Sequence, residues 1–480
     1  MDTTVVAYTY DRQTVQAGII HIGVGNFHRA HQEFYANKVL EFPDQLRWGI
    51  CGIALLPSDE ALVQKLRGQN CVYTLTVCGR DSHDEVYPIG SLTDIIWGMD
   101  EPVAVTDKIA DPAIKIITLT ITEGGYNMDK ATHTFRLEHE DVKHDLSQPQ
   151  QPKTVFGFVA EGLRKRMAAG HEGLTILSCD NLQHNGNTTR TAFTSFIEAQ
   201  DTELAHWVKS RVTFPNSMVD RITPATLPDD VVRLTAKSGI DDAVPVYCED
   251  FIQWVIEDNF MAGRPDWQRV GVEFTDDVTA YEIMKLSLLN ASHTLLSYPA
   301  FLAGYRQVDD AMHDTNFVQL LRDFMDIDIT PYVPVPGNTD LTLYKQTLLE
   351  RFANRSVSDQ LSRLCFDGIS KFPVYILPNL ANMIRDKKEL TRMAFLLASY
   401  RHYLTYKTDD NGQAFTVAEP WLTPEDVQLI DSDEPIAFLY LSAFSSLDLP
   451  SAEPFVIVYR TFVERIKQHG IRVVLQSILT

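Results

Sequence analysis

The sequence has no pair of cysteines two residues apart. Its six cysteines, Cys51, Cys71, Cys78, Cys179, Cys248 and Cys365, match no zinc-ribbon spacing. Several fall in strand-like runs, so buried free thiols in a reducing, cytoplasmic setting are expected. No apolar run reaches the roughly 18 residues that a bilayer requires. The opening stretch "MDTTVVAYTYDRQ" carries Asp2 and Asp11 and lacks a basic segment ahead of an apolar one, so no secretory signal is expected. Positive charge is scarce: 42 lysines and arginines face 64 aspartates and glutamates, for a formal net charge of -22. That balance argues against a nucleic-acid or anionic-membrane surface, because phosphates would be repelled, while leaving room for a small basic pocket for an anionic cofactor. Internal repeats and low-complexity tracts are also missing.

What is present is an ordinary globular composition, 45% hydrophobic and 10% aromatic over 480 residues. That length favours two or three domains. The first half alternates strand-like and helix-like segments. "GIIHIGV" (Gly18–Val24), "RWGICGIAL" (Arg47–Leu55), "IKIITLTIT" (Ile114–Thr122) and "LTILSC" (Leu174–Cys179) read as strands. "FHRAHQEFYANKVLEF" (Phe27–Phe42) and "KTVFGFVAEGLRKRMAAG" (Lys153–Gly170) read as helices. Strand–helix–strand alternation predicts a mostly parallel α/β sheet with helices on both faces. Beyond about Tyr281 helical patterns dominate, over Glu282–Phe301, Leu341–Ala353, Lys387–Tyr406 and Ala452–Leu479. Proline-rich "TPYVPVPGN" (Thr330–Asn338) reads as a loop, and Thr423 before Pro424 as a helix cap. The expected domains are 1–277 and 278–480.

"HIGVGNFHRAH" ends the first strand and opens the first helix. Gly23 and Gly25 allow a tight turn and close approach of a pyrophosphate to helix N-terminal amides. Asn26, Phe27 and Arg29 join them as cofactor-binding candidates. The third glycine of G-x-G-x-x-G is replaced by His28, so an ordinary strand–helix turn is the competing reading. His28 and His31, one turn apart, lack a third plausible metal ligand and are assigned to the helix surface or the cofactor pocket. Past the second strand, in "LLPSDEAL", Asp59 is the candidate for the ribose 2′-hydroxyl, or a helix cap, and the two roles are compatible.

In "KLSLLNASH", Lys285, Asn290 and His293 stand among leucines. On a 100° wheel Asn290 falls about 140° and His293 about 80° from Lys285, so all three share one side over roughly 12 Å. A lysine with apolar neighbours loses hydration of its charged form. From about 10.4 in water such a group approaches 7–8 and serves as a general base. Asparagine amides can donate to an alkoxide or carbonyl oxygen, and a histidine can orient a hydroxyl. The bland alternative is a helix whose lysine snorkels to water. "YEIMK" also satisfies Y-x-x-x-K of short-chain dehydrogenases, but it follows a full α/β domain instead of lying inside one. A second polar cluster, "LSCDNLQHNGN", puts Asp180 and Asn181 at the carboxyl end of a strand, where ligands bind in open α/β sheets. "EGGY" (Glu123–Tyr126) follows another strand end, and "PNSMVDRITP" carries Asp220 and Arg221.

Taken together, the chain resembles the zinc-independent, polyol-specific long-chain dehydrogenase/reductase family, the mannitol 2-dehydrogenases. The resemblance runs from "GIIHIGVGNFHRAHQ" through "TITEGGY", "SCDNLQHNGN", "PNSMVDRITP" and "FTDDVTAYEIMKLSLLNASH" to "DGISKFP". The family signature K-x4-N-x2-H stands intact at Lys285, Asn290 and His293. The resemblance implies a Rossmann-type dinucleotide-binding domain followed by a mainly α-helical domain. It implies Lys285 as general acid/base without Tyr281. Asn181 and Asn290 would be donors to the reacting oxygen, and His293 a substrate ligand. Asp220, Arg363 and Lys371 would line the polyol site, and Glu123 would relay a proton. No metal is implied.

NAD-preferring relatives carry two adjacent acidic residues after the second strand, where this chain has Ser58-Asp59. NAD and NADP therefore both stay open. Mannitol–fructose interconversion is the leading expectation, ahead of sorbitol–sorbose and arabinitol–xylulose, with fructuronate or tagaturonate reduction behind. A catalytically silent dinucleotide sensor is the alternative of another class. The expected partners are a polyol or ketose, with no nucleic acid and no membrane. A monomer or small homo-oligomer is expected.

Overall fold

The computed structural model describes every residue except Met1, Ser82, Lys130, Ala131, His133, Asn338, Ser358 and Thr480. Asn338, the last residue of the expected proline-rich loop, therefore lies outside the described residues. The chain divides into two compact units, Met1–Thr279 and Ala280–Thr480.

The first unit is built on six strands: β1 (Ala17–Ile22), β2 (Gly49–Ala54), β3 (Leu92–Trp97), β4 (Ile116–Leu119), β5 (Leu174–Ser178) and β6 (Val212–Thr213). They lie in the order β3-β2-β1-β4-β5-β6, and every neighbouring pair is parallel. This is the doubly wound Rossmann arrangement, whose order reverses between β1 and β4. Alternate side chains leave a strand on opposite faces. Ile19, Ile50 and Ile116 accordingly pack with Phe34, Tyr35 and Trp254, while Ile20, Ile53 and Ile117 pack with Phe156, Val159 and Phe193. Each isoleucine so enclosed stabilises the unit by about 1.5–3 kcal/mol. Both faces are covered, which is why these strands read as continuous apolar runs and not as alternating ones.

Two smaller sheets were not legible as strands. One orders Asp2–Val5, His83–Ile89, Tyr73–Cys78 and Val246–Glu249; the other orders Ser217–Asp220, Gln253–Glu257 and Glu273–Thr275. Most of their segments have only three to five residues, and several of their pairing partners are far apart in sequence, as with Val77 and Cys248.

The expected first helix is also broken. It runs as Asn26–Ala30 and Gln32–Val39, with His31 at φ -116 and ψ -78 between them. The Ala30 carbonyl accepts from the Arg221 guanidinium at 2.7 Å, and His31 Nε2 meets the Gln253 carbonyl at 2.9 Å. Contacts with distant chain thus replace helical continuity.

The second unit is helical. Leu341–Phe352, Thr391–Tyr406 and Glu453–Ile478 match the expected segments within a few residues. Thr423 caps the helix beginning at Pro424: its Oγ1 accepts from the Asp426 N–H at 3.1 Å, and Asp426 accepts the Thr423 N–H at 3.0 Å. The last helix bends at Gly470 (φ 77), where the Asp410 carboxylate accepts the N–H groups of Ile471 and Arg472. An aromatic core of Tyr298, Phe372, Tyr400, Tyr403, Phe438 and Phe444 joins the helices Ala291–Leu302, Gly368–Tyr375 and Thr391–Tyr406 to the short turns Pro435–Tyr440 and Ser442–Phe444. All six cysteines are buried, and none is in a disulfide. Among the described residues no helix is long and apolar enough to cross a membrane.

Candidate active site

The glycine turn sits where the sheet order reverses. Gly23 has φ +98, and a Cβ there would lie 2.1 Å from the Thr120 carbonyl oxygen, so only glycine fits. Thr120 Oγ1 donates to the Gly23 carbonyl at 2.8 Å, stitching the end of β1 to the end of β4. Gly25 is different. Its backbone is extended (φ -125), and a Cβ would meet nothing nearer than Gly23 O at 3.9 Å. Neither strain nor crowding within the protein demands glycine there. The open space beside the first N–H groups of the helix fits a pyrophosphate approaching the backbone.

His28, standing at the third-glycine position, lies flat on His21, with ring centroids 3.3 Å apart and planes within 4°. Burial drives His21 down to about 3 and His28 well below its ordinary value, so the two neutral rings can stack. The stack supplies the helix–strand contact that a third glycine normally allows. His31 is occupied through both nitrogens, by Gln32 and by the Gln253 carbonyl. Among the described residues no group of three or more His, Cys, Asp or Glu is placed to hold a metal ion.

Arg29 is buried. Its guanidinium donates to Asn26 Oδ1 at 2.8 Å and to the Val244 carbonyl, so it orients Asn26 at the head of the helix. Phe27 is half-buried and stacks on His31. Ser58 is exposed, and Asp59 Oδ2 accepts the Leu56 N–H at 3.0 Å, so this carboxylate closes the turn after β2.

The ends of β4 and β5 form a second group. Thr122 has φ +62, an outlier for a β-branched residue. Asp180 holds it there: its two carboxylate oxygens accept the N–H of Thr122 (2.9 Å), the N–H of Ile121 (3.0 Å) and the Tyr126 hydroxyl (2.6 Å). Exposed Glu123 follows the strained residue, and partly buried Asn181 follows Asp180. One clamp thus orients both strand ends. Asn185 Nδ2 adds a bond to the Asp180 carbonyl at 3.1 Å. Asp220, on the edge strand Ser217–Asp220, is 4% exposed.

Burial pushes Asp180 up to about 6. The folded chain therefore holds a proton that the unfolded chain releases between the ordinary aspartate value and about 6. This group's contribution to stability falls as pH rises across that window and is level above it. Asp180→Asn should flatten that part of the profile in urea unfolding between about pH 4 and about pH 7. By turning donors toward donors, it should also cost about 1–3 kcal/mol. An unchanged pH slope would contradict the assignment.

In the second unit the helix carrying Lys285 is not uniformly α. Thr279–Lys285 is α-helical, Leu286–Asn290 is a π turn, and Ala291–Leu302 is α-helical again. The Ala291 N–H bonds the Leu286 carbonyl, an i→i+5 step. Such a turn brings residue i+5 over residue i. Asn290 is therefore turned toward Lys285 from the wider angle expected of a regular helix. Lys285 is 7% exposed and His293 8%. The His293 ring stacks on Phe352 at 4.0 Å. Asn290 Oδ1 is buried with no hydrogen-bond partner among the described residues, a place for a substrate hydroxyl.

Asp359 pairs with Arg363 through Nε (2.8 Å) and Nη2, and His293 lies close enough to influence the Asp359 carboxylate. Burial, and then the charge of Arg363, lower the pKa of Lys371, whose Nζ donates to the Leu364 carbonyl at 3.0 Å. Arg363 and Lys371 thus lie in one corner, with His293 near the Asp359 carboxylate that pairs with Arg363.

Sequence reasoning did not single out Asp359, although Asp359-x3-Arg363 has the spacing of a helical ion pair. It noticed Asp180 only as a strand-end residue. Nothing local marked Glu419, described below.

The mannitol dehydrogenase Rossmann domain profile matches residues 17–269, and the mannitol dehydrogenase C-terminal domain profile matches residues 277–467. The chain is 42% identical to Pseudomonas fluorescens mannitol 2-dehydrogenase, solved as a ternary complex with NAD and D-mannitol. The two superpose with a TM-score of 0.90, over 99% of this chain and 96% of that one. A D-sorbitol dehydrogenase solved in substrate-free form superposes with a TM-score of 0.89 at 38% identity, covering 98% and 99% of the two chains. The polyol:NADP oxidoreductase of Gluconobacter oxydans is 40% identical over 469 residues, 96% of each chain.

Proposed function

The chain belongs to the mannitol dehydrogenase family and is an NAD(P)-dependent polyol oxidoreductase, and from that premise we propose that it interconverts D-mannitol and D-fructose with Lys285 as general acid/base. The observation that carries this reading is the Lys285–Asn290–His293 face, with Lys285 and His293 buried, wound through a π turn and bordered by Arg363 and Lys371.

Gly23, Gly25 and Asn26, with Phe27 beside them, hold the dinucleotide, while Arg29 orients Asn26 and Asp59 meets the ribose. A bound nicotinamide would supply hydride transfer to and from the carbinol carbon. Lys285 takes the proton of the reacting hydroxyl, and in the reverse direction gives it back. Asn181 and Asn290 donate to that oxygen as its charge develops, each lowering the barrier by about 2.7–4 kcal/mol. His293 holds the same hydroxyl near Lys285. Asp220, Arg363 and Lys371 engage the other hydroxyls and so select their stereochemistry. Glu123, exposed at a strand end, passes the proton onward to water.

Steady-state rates for fructose and sorbose with NADH and NADPH, and for mannitol, sorbitol and arabinitol with NAD⁺ and NADP⁺, test the reading. Fructose and mannitol should give the highest kcat/KM, and the same table selects the cofactor. Preference for sorbose or arabinitol by more than about tenfold would replace the substrate assignment. Tight cofactor binding without turnover of any of these compounds would favour a dinucleotide sensor.

A further inference from the structure

We propose that Glu419, remote in sequence from every group of the reacting constellation, is a positioning residue of the polyol site: its carboxylate fixes the elbow Phe366–Ile369 and with it the mutual placement of Arg363 and Lys371. This inference rests on the roles given above to those two cations.

Arg363 belongs to the short helix Leu361–Cys365 and Lys371 to the helix Gly368–Tyr375, so the elbow between them decides where the two charges stand. The elbow is not held by its own residues. Asp367 adopts the left-handed conformation (φ 56, ψ 49) and donates its N–H to the Ala418 carbonyl at 3.1 Å. Glu419 Oε1 accepts the Gly368 N–H at 2.9 Å, and Oε2 accepts the Ile369 N–H at 3.1 Å. Tyr400 donates its hydroxyl to the same Oε1 at 2.9 Å.

The irregular stretch at 418–419 therefore grips three successive residues of the elbow. Glycine at 368 is the counterpart of this grip. A Cβ there would lie 2.2 Å from Tyr298 Oη and 2.8 Å from Glu419 Oε1. Tyr298 lies on the Ala291–Leu302 helix that also carries His293, and its hydroxyl donates to the Cys365 carbonyl at 3.4 Å, just ahead of the elbow. Acceptor bonds to an ionised carboxylate are the stronger kind, and they also match the partial positive charge of a helix start.

Glu419→Gln is the test, because it keeps size while putting a donor where an acceptor is needed. Relative to the parent, KM for the ketose should rise about tenfold, with kcat and the NAD(P)H dissociation constant within about threefold. In a Lys371→Met background the same change should raise KM by less than about threefold, since the group being positioned is gone. A residue that only supported the fold would lower the unfolding midpoint, leave the KM-to-kcat split unmoved and act independently of Lys371.

pH supplies a third readout. Burial, helped by the charge of Asp367, pushes Glu419 up to about 7, and the other groups facing it are Lys371, Cys365, Tyr298, Tyr400 and Tyr403. The ratio of variant to parent KM should close toward one as pH falls through that value. If Glu419→Gln does not fold, Tyr400→Phe, which removes one bond to Oε1, should raise KM about twofold to threefold. Unchanged KM in a folded Glu419→Gln protein, while Lys371→Met raises it, overturns this inference alone. Unchanged KM in Lys371→Met overturns the substrate-binding role underneath it.

Discussion

Replacing Lys285 by alanine should lower kcat about a thousandfold while leaving the NAD(P)H dissociation constant within about twofold. Lys285 is 7% exposed and sits immediately before the π turn, so its amine is in no position to act as a solvated surface charge. General acid–base groups typically account for about 10²–10⁴ of rate, and the assigned proton transfer has no other amine on the Lys285–His293 face. Truncation also removes buried methylenes, so a loss of rate by itself would not separate chemistry from packing.

Two companions do so. Lys285→Met preserves the volume and should be as inactive as the alanine variant while unfolding near the parent midpoint. Small primary amines added to Lys285→Ala should restore part of the rate, because the truncated side chain leaves space for them. Turnover of Lys285→Ala within a few-fold of the parent would end the assignment.

The second large effect is a contrast between two glycines two residues apart. Gly23→Val should destabilise the first unit by about 3 kcal/mol or more, since its Cβ would be driven to 2.1 Å from the Thr120 carbonyl at a φ of +98. Thr120 cannot yield without opening the pairing of β1 with β4. Gly25→Val meets no such obstacle, its Cβ standing 3.9 Å from the nearest atom, so the unfolding midpoint should hold. Dinucleotide affinity should nevertheless fall by about a hundredfold, because the branched side chain fills the space offered to the pyrophosphate. Fluorescence titration with NADH and thermal unfolding of both variants measure the pair. Equal loss of affinity and midpoint in the two proteins would mean that Gly25 is structural after all.

Much of this protein was legible without coordinates. The apolar runs at Ile19–Ile22, Ile50–Ile53, Ile116–Leu119 and Leu174–Leu177 declared a sheet buried on both faces. The G-x-G turn after the first strand and the K-x4-N-x2-H face marked the candidate site, because a glycine turn and a helix face are local objects, each written within about a dozen residues.

Other features depend on groups that only the folded chain brings together. His28 at the third-glycine position made sense only once His21 lay beneath it. The clamp on Thr122 comes from Asp180, 58 residues away, and the grip on Gly368 from Glu419, 51 residues away. The π turn that brings Asn290 toward Lys285 breaks the 100° periodicity on which any wheel depends. Local pattern by itself determined the strands of the central parallel sheet, most of the long helices, and which side chains are chemically suited to move a proton. Tertiary structure alone decided how those side chains are aimed, because a buried carboxylate and a strained backbone are stable only where distant segments converge to satisfy them.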